Sequence, residues 1–386
     1  MSGEAHSEMQ GVVVEKSLSS SLSASIVRVR LTVLRVGFKF KLAMARVRTP
    51  APSRLLLALL AGYGVQAFAN PTGGQVVSGN ITIAAPSTST LNVTQTSNQG
   101  IINWQSFNVG SGEKVNFQQP NASSSTLNRI VGNDASQIFG QINANGSVFL
   151  INPNGILFAP GSSVNVGGLI ASTLGLTDAD YLAGHYSLNG TSGSVDNQGS
   201  IKAGYAVLAG AQVSNTGSIV ADGGTAALVA GSRVTLNLAN SDVFSISVDA
   251  PTAAALVRSG GIVQADGGQV IISAKAANAL LDTVVNVDGI VRARSIGTRN
   301  GVIVLDGGTS GVVNVSGTLD ASGKNGGETG GTVKVLGNDV GLWQRGHAFL
   351  GLVWLAVASW NLDRHWRSRP TDMGEPLEPD YASAAS

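Results

Sequence analysis

Hydrophobic and polar positions alternate in short runs along most of the chain, and one phrase of that alternation recurs. It reads Gly199-Ser200-Ile201-Lys202-Ala203, Gly217-Ser218-Ile219-Val220-Ala221, Gly261-Ile262-Val263-Gln264-Ala265, Gly289-Ile290-Val291-Arg292-Ala293 and Gly317-Thr318-Leu319-Asp320-Ala321. The leading glycines lie 18, 44, 28 and 28 residues apart. Apolar runs fill the intervals, at Ala206-Val207-Leu208-Ala209, Ala226-Ala227-Leu228-Val229-Ala230, Val270-Ile271-Ile272 and Val302-Ile303-Val304-Leu305. Asp-Gly-Gly punctuates at 222–224, 266–268 and 306–308. Each piece is a strand-length run closed by turn residues. The period is two, with no 3.6-residue stripe longer than a turn or two.

Self-similarity over roughly 20–45 residues indicates a solenoid or a propeller. A propeller blade needs four antiparallel strands, often with aromatic punctuation, and this stretch has almost no aromatics. An all-β parallel β-helix is the predicted fold, with small and aliphatic side chains filling a narrow interior and Gly and Asn turning the corners. A β-sandwich is the alternative, which irregular spacing suits. Upstream, Ile81-Thr82-Ile83, Leu91-Asn92-Val93, Lys114-Val115-Asn116-Phe117, Val148-Phe149-Leu150-Ile151 and Val164-Asn165-Val166 are read as alternating strands too. Trp104, Phe107, Phe117, Phe139, Phe149 and Phe158 concentrate here. A solenoid needs an atypical terminal coil, so residues 70–175 are read as an N-terminal cap with the first coils, and 176–340 as the repeats.

Both ends differ from this middle. The chain carries 24 Lys+Arg against 23 Asp+Glu, a net charge of +1. Residues 17–54 hold eight basic residues and no acid, followed by the apolar Leu55-Leu56-Leu57-Ala58-Leu59-Leu60-Ala61 and then Gln66-Ala67-Phe68-Ala69. A basic region, a short apolar core and an A-x-A site describe a secretory signal peptide; a buried core helix is the bland alternative. Cleavage is expected between Ala69 and Asn70. Met44-Ala45-Arg46-Val47-Arg48 makes an ordinary leader start, which favours Met44 over an extended leader beginning at Met1. At the far end, Trp343, Trp354, Trp360 and Trp366 crowd residues 341–386. That abrupt change is read as a frameshifted or truncated tail, with a short anchor as the alternative.

The sharpest motif is Asn152-Pro153-Asn154-Gly155, between Val148-Phe149-Leu150-Ile151 and Ile156-Leu157-Phe158. It satisfies type I turn chemistry position by position, so a well-made turn between buried strands suffices to explain its residues. The whole string from Asn143 to Phe158 nevertheless resembles the secretion-domain signature of two-partner-secretion exoproteins, the filamentous-haemagglutinin and high-molecular-weight-adhesin family. Three further stretches fit: 103–109, 127–131 and 168–173. The resemblance covers about residues 70–340 and is most specific over 143–173. Family members carry a second motif, Asn-Pro-Asn-Leu, upstream; here Gly132-Asn133-Asp134-Ala135-Ser136 stands in that region, which points to the adhesin-like branch and leaves the transporter contacts open.

The resemblance implies export into the periplasm of a Gram-negative bacterium and recognition by a partner outer-membrane barrel with periplasmic docking domains. It implies passage unfolded, then folding outside as a right-handed parallel β-helix. It makes the product a secreted or surface-held adhesin-like protein directed at host glycans or receptors. Asn152, Pro153, Asn154 and Gly155 become the secretion motif, as transporter contact or as structural turn. Family exoproteins are usually much longer, so the chain is expected to hold the secretion domain and little effector; a non-functional remnant is the rival reading.

The remaining chemistry is sparse. Absent cysteine excludes disulfides and thiolate–metal sites, and near-zero net charge gives no sign of nucleic-acid binding. A β-helical polysaccharide-active enzyme would need clustered carboxylates. Asp222, Asp266 and Asp306 would line one edge if stacked in register, but turn aspartates are the favoured reading. Asp178 and Asp180 form the one close acidic pair, expected at a helix or loop start near Leu176-Thr177. His185 is the one histidine between residues 70 and 340, so no enzyme activity, cofactor or metal is expected. Sequons at Asn80, Asn92, Asn121, Asn145, Asn189 and Asn314 are mostly a product of composition.

Overall fold

The structure, a computed structural model, describes residues 70–342 apart from 239–243, 254 and 278–282, together with a short strand at Ala348–Phe349. The leader, with Ala69, and nearly all of the tail lie outside the described residues.

The alternating runs wind into a parallel β-helix of three faces. The first face stacks Thr90–Gln95, Lys114–Gln118, Gln141–Ala144 and the opening halves of Ser163–Ser172 and Ser200–Gly210. Ser218–Val220, Ile262–Gln264, Ile290–Arg292 and Thr318–Asp320 continue it. These nine strands number the coils 1 to 9. The second face runs from Gln99–Trp104 through Ser125–Ile130 and Ser147–Ile151 to Thr332–Leu336. The third is an eight-stranded sheet from Ser136–Ile138 to Asp339–Leu342. Strands along each face pair in parallel, so every coil is bonded to the coils before and after it. The cap departs from this: Gln75–Ser78 and Ile81–Ser87 pair antiparallel with the two coil 1 strands.

The glycine spacings of the repeat are coil lengths. Ser200 pairs with Ser218, Ser218 with Ile262, Ile262 with Ile290 and Ile290 with Thr318, which stacks Gly199, Gly217, Gly261, Gly289 and Gly317 in one column. A Cβ on any of the last four would be driven onto the carbonyl oxygen of the glycine below it. The column is the line along which successive backbones approach too closely for any side chain.

Two cores result. The interior buries Trp104, Phe107, Phe117 and Phe158 in the first coils and then mainly Val, Ile, Leu and Ala. A second core lies outside the second face. There α1, Asp178–Leu182, and an antiparallel sheet of Tyr186–Asn189, Arg233–Asn237 and Ser245–Ala250 cover Phe149, Ile151, Ile170 and Val207 with Tyr181, Leu188, Val234 and Val248. This corrects the reading of Val148-Phe149-Leu150-Ile151 as alternating: all four are buried, because both sides of their strand are covered. The aspartates are also redistributed. Asp222 and Asp266 stack on adjacent coils, whereas Asp306 ends a second-face strand.

Candidate functional site

The Asn152-Pro153-Asn154-Gly155 segment turns coil 3 from its second face to its third. The Gly155 amide donates to the Asn152 carbonyl at 3.1 Å, closing the turn. Gly155 has φ +126°, where other residues are strained. Asn152 is fully buried, and its side chain is spent inside the fold. Oδ1 accepts from the Asn154 amide at 3.0 Å and from Asn154 Nδ2 at 3.2 Å, an Asx-turn. Nδ2 donates to the Asp134 carbonyl and to Ser136 Oγ, both at 3.0 Å.

The turn is thereby sewn to coil 2. Asn154 Nδ2 donates to the Gly132 carbonyl at 2.9 Å, and the Ser136 amide donates to the Gly155 carbonyl at 3.0 Å. Residues 132–136 supply every one of these inter-coil partners. Outward, the two segments present Pro153 and Asn154 beside Val131, Asn133 and Asp134, all exposed.

The neighbouring stretches brace this corner from within. Trp104 Nε1 donates to Asn128 Oδ1 at 3.0 Å, and Asn128 Nδ2 donates to the Phe149 carbonyl at 3.3 Å. The 103–109, 127–131 and 143–158 stretches thus meet at one buried amide. Arg129 Nη1 lies 2.6 Å from Asp178 Oδ1, and its Nη2 donates to the Leu176 carbonyl at 2.6 Å. That pair ties coil 2 to α1, whose N-cap Thr177 accepts from the Asp180 amide at 3.1 Å. A Cβ on Gly168 would meet the ring of Tyr205, whose hydroxyl donates to Ser147 Oγ at 2.9 Å.

Sequence reading missed a buried polar column. Thr126 Oγ1 donates to Gln95 Oε1 at 2.7 Å and accepts from Gln119 Nε2 at 2.9 Å. Its signal was a glutamine recurring at the close of successive first-face strands, Gln95 and Gln119. Tyr181, buried against Phe149 and 2.7 Å from Ser125 Oγ, has its hydroxyl pKa pushed well up by burial.

Asp222 accepts from Gln264 and from the Asp266 amide, Asp266 is paired with Arg294, and His185 is exposed. Among the described residues no three metal-ligating side chains cluster, and no helix is long and apolar enough to cross a membrane. Asn70, on the expected cleavage bond, donates its side-chain amide to the Thr88 carbonyl at 3.0 Å. Asn80, Asn121, Asn145 and Asn189 of the sequons are exposed, Asn145 with its side chain bonded to the Gln119 backbone; Asn92 and Asn314 are half-buried and hydrogen-bonded.

Comparison with known proteins places this geometry. The model of the TPS secretion domain family matches residues 67–325. A heme/hemopexin-binding protein of Haemophilus influenzae (strain ATCC 51907 / DSM 11121 / KW20 / Rd) is 32% identical over 250 residues, 61% of this chain and 27% of that protein. A second Haemophilus influenzae heme/hemopexin-binding protein is 30% identical over 264 residues, 61% of this chain and 28% of that protein. The chain spans about a quarter of the length of the curated relatives it matches. Among solved structures, the HMW1 secretion domain from Haemophilus influenzae aligns with a TM-score of 0.63 at 27% identity, over 72% of this chain and 73% of that chain.

Proposed function

Because the chain belongs to the TPS secretion domain family, we propose that its coils 1 to 4 are the part recognised by a partner outer-membrane transporter of the two-partner pathway. The family's domains are carried by exoproteins that Gram-negative bacteria secrete through the outer membrane. For this chain the proposed route is by signal peptide into the periplasm, with cleavage between Ala69 and Asn70. Periplasmic docking domains of the partner barrel then engage it, and it folds outside into the β-helix. An adhesin-like role toward host glycans or receptors is proposed for the whole protein, with no enzymatic step of its own. The pairing of Asp222, Asp266 and Asp178 within the fold supports that last point.

The observation that carries the reading is the division of labour within the motif. Asn152 and Gly155 are buried and build the corner, while Pro153 and Asn154 face outward beside Val131. We assign the first pair to shaping the segment and the exposed residues to transporter contact. Co-expression with the partner transporter tests this by the yield in the medium. Pro153→Glu and Val131→Asp are expected to lower the yield several-fold while the purified proteins keep parental stability. Parental secretion of both variants would remove the exposed corner as the contact.

A further inference from the structure

The coils are stitched differently at the two ends of the solenoid. On the first face, coils 1 to 3 are joined by neutral amides. Asn116 Nδ2 donates to Asn92 Oδ1, and Asn143 Nδ2 to Asn116 Oδ1, both at 3.0 Å. Coils 6 to 9 are joined at the end of that face by charges. Asp266 of coil 7 is fully buried. From coil 8, Arg294 Nε lies 3.2 Å from its Oδ1, and Arg294 Nη2 lies 2.5 Å from its Oδ2. The Arg294 amide also donates to Oδ1 at 3.0 Å. From coil 9, Lys324 Nζ lies 3.7 Å from Oδ2.

A second rail runs beside it. Asp222 Oδ1 of coil 6 accepts from Gln264 Nε2 and from the Asp266 amide of coil 7, both at 3.0 Å. Arg292 Nη1 of coil 8 donates to Gln264 Oε1 at 3.2 Å, and Arg292 Nε lies 3.3 Å from Asp320 Oδ2 of coil 9.

We propose that this cluster is an inter-coil lock: coil 7 reaches its final stability only when coil 8 has delivered Arg294 and coil 9 has delivered Lys324. A buried carboxylate without its partner is strongly unfavourable, whereas a paired one is tolerated. Arg294 lies 28 residues after Asp266 in the chain. Coil 7 therefore stays loose until the next turn of chain is in place, while the amide ladder of coils 1 to 3 sets without waiting for any ion pair. The lock itself needs no transporter, so it is tested separately from secretion.

Amide hydrogen exchange, resolved by coil on the intact chain, is the test. R294Q takes the guanidinium from buried Asp266 and leaves it only the residue-294 backbone amide and Lys324 Nζ at 3.7 Å, and D266N/R294Q removes the charge that needs a partner. R294Q is expected to exchange at least about tenfold faster in coils 6 to 8, with coils 1 to 3 unchanged. D266N/R294Q is expected to return most of that protection. If R294Q exchanges like the parent, or the double variant stays as loose as R294Q, the lock is wrong. Should R294Q not fold at all, the double variant decides alone: a recovered solenoid supports the lock, and an unfolded one overturns it.

Discussion

The side-chain amide of Asn152 donates to the hydroxyl of Ser136, one coil upstream, at 3.0 Å. Asn152→Ala removes that bond, the bond to the Asp134 carbonyl and the Asx-turn acceptor, and leaves buried partners unsatisfied. The expected loss is about 1–3 kcal/mol of stability, read as a lower urea midpoint with an unchanged slope. Asn152→Asp loses both donors while keeping the acceptor, and it is expected to rescue little.

The glycine column makes a position-specific prediction. Gly261→Ala drives a Cβ onto the Gly217 carbonyl, whereas Gly326 has open space around it. Overpacking of backbone against backbone is expected to cost about 1–3 kcal/mol at Gly261. Gly326→Ala is expected to be near neutral, and thermal unfolding of the two variants makes the comparison.

Gly168 and Tyr205 are expected to be coupled. Gly168→Ala collides with the Tyr205 ring, and Tyr205→Ala opens the space that the collision needs. The double variant is expected to be more stable than the sum of the single losses implies, by about 1 kcal/mol or more. A double-mutant cycle measures it.

Acid should loosen the C-terminal coils first. For Asp266, burial acts to raise the carboxyl pKa, but the hydrogen bonds from Arg294 and the charges of Arg294 and Lys324 outweigh it and hold it below the ordinary range. For Glu328, the Gly297 amide and the Asn325 side chain hold it at about 2, against 4.5 for a free glutamate. A carboxyl depressed in the folded state contributes stability above its unfolded pKa and loses it as pH falls through the folded one. Exchange protection in coils 7 to 9 is therefore expected to decline from about pH 4.5 downward. The Asn92–Asn116–Asn143 ladder has no titrating group and is expected to hold over the same range.

The solenoid was legible because its period-two runs end in glycine at coil-length intervals, and Gly217 to Gly317 stack as that spacing requires. The turn at 152–155 was legible because every position matches turn chemistry. The second layer was not. Tyr181, Val234 and Val248 reach face-two residues in distant coils, and no local period encodes such partners. The one available sign was that Val148 to Ile151 and Ala226 to Ala230 are apolar without interruption, as strands covered on both sides must be. The Asp266–Arg294 pair was hidden for a related reason. Coil length varies, so Asp306 carries the same Asp-Gly-Gly signature and yet stacks elsewhere. Within the motif, residue types alone could not separate the buried Asn152 from the exposed Asn154.

The most direct measurement is the transport of a passenger. A reporter fused after residue 342 is expressed with the partner transporter, in one form carrying residues 1–342 and in another lacking 70–175. Reporter in the medium from the first form, dependent on the transporter and abolished in the second, is the predicted result. Equal release from both forms, or release without the transporter, would contradict the assignment of coils 1 to 4 as the recognised part.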